Sequence, residues 1–351
     1  MSTTPFRVGV VGNGSISVHH LNAYAADARV ELVAVADINL DRAKAAGEKY
    51  GATAYGDAAE LYALDEVDAV SICTPNNTHV ELAVAAIEAG KHVLLEKPMS
   101  HRADEAQRLA DLVAGQDKVL QIGLVRRHST NYKVLKSFID AGDLGDIYYA
   151  KAACIRQVGN PGGWFANKET SGGGPLIDLG VHVIDLAWSL MGCPRPVTVS
   201  GNTYHHLGGR DNVAWQDRYR AADAGLTNDV EDLANAMIRF ENGASLMVET
   251  SFSLHTVENS LAVSVHGTSG GASLEPLEIV GERHDTVLNM TPQIRSNRFG
   301  FTEAFSNEIA HFVSSCLGEE EQVAPAWQGA MLQQMLGAIY ESAANGTEVK
   351  L

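Results

Sequence analysis

The sequence predicts an α/β protein of two domains. A doubly wound parallel sheet comes first, and an α+β domain on a large, open, mostly antiparallel sheet follows. Three observations predict this. The first 125 residues alternate short β-branched runs with helical segments, the pattern of βαβ units. After about residue 145 the strand patterns continue with few long helical patterns between them. A chain of 351 residues, at roughly 100–200 per domain, has room for two domains.

Taken in order, strands are expected at Arg7–Val11, Leu32–Ala36, Ala69–Cys73, His92–Leu95 and Val119–Val125. Helices are expected after Ser15 and over Leu40–Tyr50, His79–Ala89 and Arg102–Ala114. Gly51, Gly90 and Gly115 stop the last three, because glycine accepts the left-handed conformation just past a helix end. In the second part Ile147–Ile155, Val197–Tyr204, Ala236–Phe240, Ser245–Phe252, Ala262–His266 and Thr286–Met290 read as strands. Glu241-Asn242-Gly243 reads as a tight hairpin between two of them. One helix interrupts this sheet, Leu176–Met191, ended by Gly192 and Pro194, and Thr302–Cys316 and Trp327–Ala344 close the chain. The boundary is placed between domains 1–125 and 126–351, with the closing helices expected to pack back on the first. Ser171-Gly172-Gly173-Gly174 stands just before a helix, which favours close backbone approach over a flexible linker.

The composition is 45% hydrophobic and 20% charged, ordinary for a globular chain. Twenty-six basic against 43 acidic residues give a net charge of −17, which argues against nucleic acid or an anionic membrane as partner. No apolar run reaches the roughly 18 residues of a membrane span. The N-terminus runs straight into a strand pattern and does not resemble a signal peptide. Cys73, Cys154, Cys193 and Cys316 are scattered, so reduced thiols and a cytoplasmic protein are expected, with no zinc site.

Gly12-Asn13-Gly14-Ser15-Ile16-Ser17 links the first strand to the first helix as G-x-G-x-x-S. Gly12 permits the tight turn, Gly14 lets backbone approach a pyrophosphate, and a small third residue packs helix on strand. The N–H groups at the helix start favour the anion. Asp37 ends the second strand about 20 residues later, where a carboxylate accepts hydrogen bonds from a ribose diol and repels a 2′-phosphate. NAD is therefore expected over NADP, with Arg42 the nearest base that would soften the preference. The plainer reading is that Asp37 and Asn39 cap the helix from Leu40. Thr74-Pro75-Asn76-Asn77-Thr78-His79 follows the strand Ala69–Cys73, on the carboxyl edge where ligands of such sheets bind; Asn76 or Asn77 as a helix cap is compatible with that.

Two motifs carry chemistry. Glu96-Lys97-Pro98 ends the strand His92–Leu95, on the same edge, where a lysine can serve a cleft or simply face water in a turn. Asp178 and His182, spaced i, i+4, interrupt an apolar helix. A lone histidine there would be a core residue, but an aspartate one turn away can orient it and set its basicity. With these residues in view, the chain resembles the Gfo/Idh/MocA oxidoreductases, which include inositol and sugar dehydrogenases. The resemblance rests on the Gly12–Ser17 fingerprint with His20, Thr74-Pro75, Glu96-Lys97-Pro98, Arg126-Arg127 and Asp178-x-Gly180-x-His182, and covers essentially the whole chain. Ser17 departs from the usual glycine or alanine.

The resemblance implies an N-terminal Rossmann domain and a C-terminal domain used for oligomer contact, giving a homodimer or homotetramer. It implies Lys97, Asp178 and His182 as the catalytic set, with Lys97–Pro98 able to be cis. The cofactor contacts expected are Gly12, Asn13, Gly14, Ser15, Ile16, Asp37, Thr74, Pro75, Asn76, His79, Glu96 and Lys97. His182 would take the proton of a secondary alcohol, Lys97 would stabilise the developing alkoxide and disfavour early protonation of His182, and Asp178 would orient the site. Arg126, Arg127 and His128 at the crossover, and Asn160 and Trp164 in a glycine-rich loop, are the candidate substrate contacts beside Asp178 and His182. Local packing is the competing role for the loop pair. His19 is expected to be structural, and His205, His206 and His255 to be surface or subunit-contact residues. The function expected is an NAD-dependent dehydrogenase of a cyclic polyol or sugar. A redox-neutral NAD-dependent glycosidase of the same fold is the alternative, and a non-catalytic NAD-sensing regulator a more distant one.

Overall fold

A computed structural model of the chain describes residues 5–208, 210, 212–213, 219–221 and 228–351. These residues fall into two compact units. The first takes the chain through Ser100, Asp104–His128 and Phe301–Ala330; the second takes His101–Ala103, Ser129–Gly300 and Met331–Leu351.

The first unit follows β1 (Phe6–Val11), α1 (Ser17–Ala26), β2 (Val30–Ala36), α2 (Leu40–Tyr50), β3 (Thr53–Tyr55), α3 (Ala58–Tyr62), β4 (Ala69–Ile72), α4 (His79–Glu88), β5 (His92–Glu96), α5 (Ala103–Val113) and β6 (Leu120–Gly123). All six strands are parallel, in the order β3-β2-β1-β4-β5-β6. The order reverses beside β1, which opens a crevice at the carboxyl ends of β1 and β4. Residues of β4 and β6 are buried throughout, as a sheet covered on both faces requires. Short β3 and one-turn α3 lie between expected elements; three residues of edge strand carry too little alternation to be read from sequence.

The second unit contains α6 (Thr130–Asp140), β7 (Ile147–Ile155), α7 (Lys168–Ser171), α8 (Val181–Leu190), β8 (Pro196–Tyr204), β9 (Leu233–Phe240), β10 (Ser245–Ser251), β11 (Ser260–Gly267), β12 (Gly270–Leu274), β13 (Leu277–Arg283), β14 (Thr286–Met290) and, at the end, β15 (Val349–Lys350). The closing helices are α9 (Phe301–Cys316) and α10 (Ala326–Asn345). Nine strands run in the order β14-β13-β12-β11-β7-β10-β9-β8-β15, with β7 and β10 parallel and the other pairs antiparallel. The register stacks Ile238, Leu246, Ala150, Val265, Ala272 and Ile279 across six strands, all buried. Helix α8 packs on β7, β10 and β11. The Glu241-Asn242-Gly243 hairpin is present, with Gly243 at φ 84° and its N–H on the Phe240 carbonyl at 3.0 Å. Strands β12 and β13 escape the sequence pattern because glycines break their runs.

Helix α9 belongs to the first unit, where Ile309, Phe312 and Val313 join Val8, Val10, Leu21, Tyr24 and Leu94 in one core. Among the described residues no helix is long and apolar enough to cross a membrane. All four cysteines are thiols, none in a disulfide.

Candidate functional site

The loop after β1 is shaped by two glycines in different ways. Gly12 stands at φ 84°, and a Cβ there would lie 2.7 Å from the Cys73 carbonyl oxygen. A Cβ on Gly14 would meet nothing within 4 Å, so open space stands above the start of α1. The first turn of α1 carries no acidic residue, and the positive end of its helix dipole favours an anion. The hydroxyl of buried Ser17 donates to the Gly14 carbonyl at 2.7 Å, so the serine that departs from the family pattern braces the loop from inside. Asp37 Oδ2 accepts the Asn13 N–H at 2.7 Å and Oδ1 the Asn39 N–H at 2.8 Å, while Asn39 caps α2. Asp37 is thus not the helix cap; it ties the glycine loop to the end of β2 and keeps further acceptor sites for a ribose diol. Ser15 is exposed, Ile16 is half-buried, and Ile38 is 99% exposed beside Asp37. These residues fit a dinucleotide. Ile38 went unnoticed in the sequence, although an isolated apolar residue between Asp37 and Asn39 in a loop was its signal.

At the ends of β4 and β5 the chain is knitted together. His79, fully buried, approaches the Thr74 carbonyl through Nε2 at 2.8 Å and the Pro98 carbonyl through Nδ1 at 2.7 Å. Burial lowers its pKa, although both carbonyls oppose the shift. Thr78 Oγ1 donates locally at 2.8 Å, and Asn76 is buried in the same turn. Glu96 Oε1 pairs with His20 Nε2 at 2.9 Å and Oε2 accepts the Lys97 N–H at 3.1 Å. His20 Nδ1 reaches Ser71 Oγ at 3.1 Å, which Tyr24 also contacts at 2.8 Å. Burial alone would raise the Glu96 carboxyl, but the His20 hydrogen bond, then the charges of His20, Lys97 and His79, hold it below its ordinary range. Nearby Glu308 goes the other way: burial first, then the Glu96 charge, push its carboxyl well above its ordinary range. From Val93 to Ser100 every residue is buried except Lys97, and the Lys97–Pro98 bond is cis. His19 lies between Phe301 and Phe305, with ring centroids 4.6 and 5.1 Å away.

In the second unit Asp178 and His182 sit where a π-turn passes into α8. The Val181 N–H donates to the Leu176 carbonyl, five residues back. From Leu176 to Leu190 every residue is buried except Asp178 and His182. The helix therefore presents this pair and hides its remaining side chains, including Asp185 and Trp188. Gly180 packs against Leu176 and Thr250, where a Cβ would have neighbours at 3.2 Å. The glycines ahead of the turn are in close contact as the sequence suggests: a Cβ on Gly173 would lie 2.0 Å from the Tyr340 hydroxyl, and one on Gly174 2.4 Å from the Glu231 carbonyl.

The remaining candidates have varied surroundings. Arg127 and His128 are buried, and the Arg127 guanidinium donates to the Val323 carbonyl and to Gln328 Oε1; Arg126 is half-buried. The His128 ring lies 5.1 Å from that of His311. Asn160 accepts the Gly162 N–H at 2.9 Å within its loop and donates to Asn228 Oδ1, on a distant segment, at 2.7 Å. Trp164, half-buried, stacks on Phe165 at 3.8 Å, and Phe165 meets Tyr219 edge-on at 6.2 Å. His255 contacts Arg210, and His206 lies beside Tyr204. Among the described residues no group of three or more His, Cys, Asp and Glu side chains is arranged for a metal.

Comparison with known proteins agrees with this geometry. D-glucoside 3-dehydrogenase of Escherichia coli (strain K12) is 34% identical, over 100% of this chain and 99% of its own. Inositol 2-dehydrogenase 2 of Saccharopolyspora erythraea is 28% identical, over 97% of this chain and 94% of its own. The solved structure of a levoglucosan dehydrogenase in complex with NADH superposes with a TM-score of 0.86 at 25% identity, covering 99% of each chain. Residues 6–124 match the oxidoreductase family's NAD-binding Rossmann fold and residues 136–351 its C-terminal alpha/beta domain. With a glycine loop shaped for a dinucleotide and both halves matched, the chain belongs to the Gfo/Idh/MocA oxidoreductase family and takes NAD as its cofactor.

Proposed function

We propose that the protein interconverts a secondary alcohol and a ketone on the ring of a sugar or cyclic polyol, with D-glucosides and inositols the first substrates to try. The observation that carries the reading is the pattern of exposure on the helix Leu176–Leu190, where every residue is buried except Asp178 and His182. A helix packed for stability alone has no use for that pair. The names of the relatives, which act on a glucoside, levoglucosan and inositol, support the substrate class.

Bound NAD supplies the hydride acceptor. On the first unit the Gly12–Ile16 loop holds its pyrophosphate and Asp37 its adenosine ribose, the latter disfavouring NADP. Ile38 offers an apolar surface to the adenine. Thr74, Pro75, Asn76 and His79 build the carboxyl edge of β4, and Glu96 fixes the backbone that carries Lys97. Lys97 gives a cationic donor to the reacting oxygen and stabilises alkoxide charge as it develops. On the second unit His182 accepts the alcohol proton, and Asp178 orients it and holds a neighbouring hydroxyl. Trp164 covers an apolar face of the sugar ring and Asn160 shapes its loop. Arg126 contacts substrate, with Arg127 and His128 supporting its turn from beneath. The uncovered face of the nine-stranded sheet joins copies into a dimer or tetramer, and the four thiols suit a reducing cytoplasm.

The test is NADH formation by the purified protein with NAD and a panel of methyl glucosides, inositols and aldoses. Turnover of at least one supports the reading. No turnover with any of them, a preference for NADP, or cleavage of a glucoside without net NADH would overturn the corresponding part.

A further inference from the structure

The glycine run ahead of the Asp178–His182 turn docks on two residues that no motif marks. Glu231 is 3% exposed and precedes β9. Its Oε2 accepts the Gly174 N–H at 2.9 Å; its Oε1 accepts the Leu176 N–H at 3.1 Å and the Tyr340 hydroxyl of α10 at 2.8 Å. All three partners are donors, so the group serves as a carboxylate. Pro175, between the two N–H groups, has none to offer. Glu231 therefore satisfies every backbone donor from Gly174 to Leu176, donors that a helix start otherwise leaves without partners. Its charge also lies at the positive end of the helix dipole. Desolvation and the adjacent carboxylate push the Tyr340 phenol well above its usual range, so it remains a donor. The missing side chains of Gly173 and Gly174 make this approach possible, since a Cβ on either would overlap Tyr340 or Glu231.

We propose that Glu231 and Tyr340 are positioning residues that anchor the π-turn Leu176–Gly180 and thereby set the placement of Asp178 and His182. The inference rests on the catalytic reading of that pair. A turn with five-residue hydrogen bonds is a less favoured way to start a helix than an α-turn, and needs an external anchor to persist. Catalytic groups displaced by about 1 Å lose about 10²-fold in rate, so an anchor at the start of this helix reaches the chemistry without touching substrate.

The experiment compares Glu231→Gln, Tyr340→Phe and His182→Ala in the full-length protein. Readouts are NAD affinity, turnover with methyl β-D-glucopyranoside and myo-inositol, and amide hydrogen exchange over residues 174–182. Glu231→Gln keeps the shape but turns an NH₂ toward backbone donors. It is expected to lower kcat by about one to two orders of magnitude with KM and NAD affinity little changed, and to speed exchange in the turn. Tyr340→Phe removes one oxygen and is expected to give a smaller change of the same kind. It carries the test if Glu231→Gln does not fold. Wild-type kcat in both positioning variants beside an inactive His182→Ala would overturn the positioning role. So would unchanged exchange in the turn. A fully active His182→Ala, with exchange in the turn still accelerated by Glu231→Gln, would instead remove the catalytic reading beneath it.

Discussion

The two sheets of this molecule meet solvent in opposite ways. In the first unit helices cover both faces, β4 and β6 are buried at every residue, and polar chemistry is pushed to the ends of the strands. Lys97 reaches solvent there among buried neighbours. In the second unit one face carries the buried row from Ile238 to Ile279, while the other presents Met247, Lys151, Glu249, Glu278 and Val280. Its candidate catalytic pair stands on the helix side, not on the strands. Where a fold leaves surface uncovered decides where function can be placed: strand ends in a doubly covered sheet, a helix and an open face in a singly covered one.

The largest predicted effect breaks the first half of that contrast. Lys97→Ala is expected to lower kcat by about 10²–10³-fold while NAD affinity, measured by fluorescence titration, stays close to wild type. Near-normal turnover would show that the exposed strand end serves no chemistry. A smaller effect tests the open face. Met247→Glu combined with Val280→Glu adds charge to exposed apolar positions, 41% and 38% accessible. Light scattering is expected to show a smaller particle with kcat little changed; an unchanged mass would mean that copies do not meet on this face. The smallest effect concerns the covered sheet. Burial, with Lys118 assisting, lowers the His92 pKa from 6.5 to about 4, and its Nδ1 accepts the Val119 N–H at 3.0 Å. The fold holds this ring neutral, whereas the unfolded chain protonates it near pH 6.5. Stability is therefore lost progressively as pH falls from 6.5 toward 4. His92→Gln keeps an acceptor and removes the titration, so denaturant unfolding should show a shallower pH slope in that window.

The sequence was most legible where the chemistry is local. The glycine loop and Asp37 sit within one βαβ unit, and Asp178 and His182 stand one turn apart in a mostly apolar helix. The fold class followed from strand spacing for the same reason. Residues whose meaning depends on distant contacts were not legible. Glu231 and Tyr340 meet across 109 positions of sequence, and Ser171–Gly174 signalled only that something approaches closely. The pattern could not reveal that Arg127 holds the Val323 carbonyl, or that burial beside Glu96 pushes the Glu308 carboxyl up, because both are consequences of α9 and the segment after it returning to the first unit. The π-turn was equally hidden, since four-residue spacing reads as an ordinary helix until its hydrogen bonds are seen.

His79 has one further consequence. Its two ring nitrogens face two carbonyls, and a carbonyl can only accept. A neutral imidazole has a single proton to give. In the neutral form, which burial favours, the ring clasps either the Thr74 segment or the Pro98 segment and turns a lone pair on the other, whereas the imidazolium would hold both. The two loops at the carboxyl edge thus share one latch between them, and the tautomer of a single buried ring decides which is fastened.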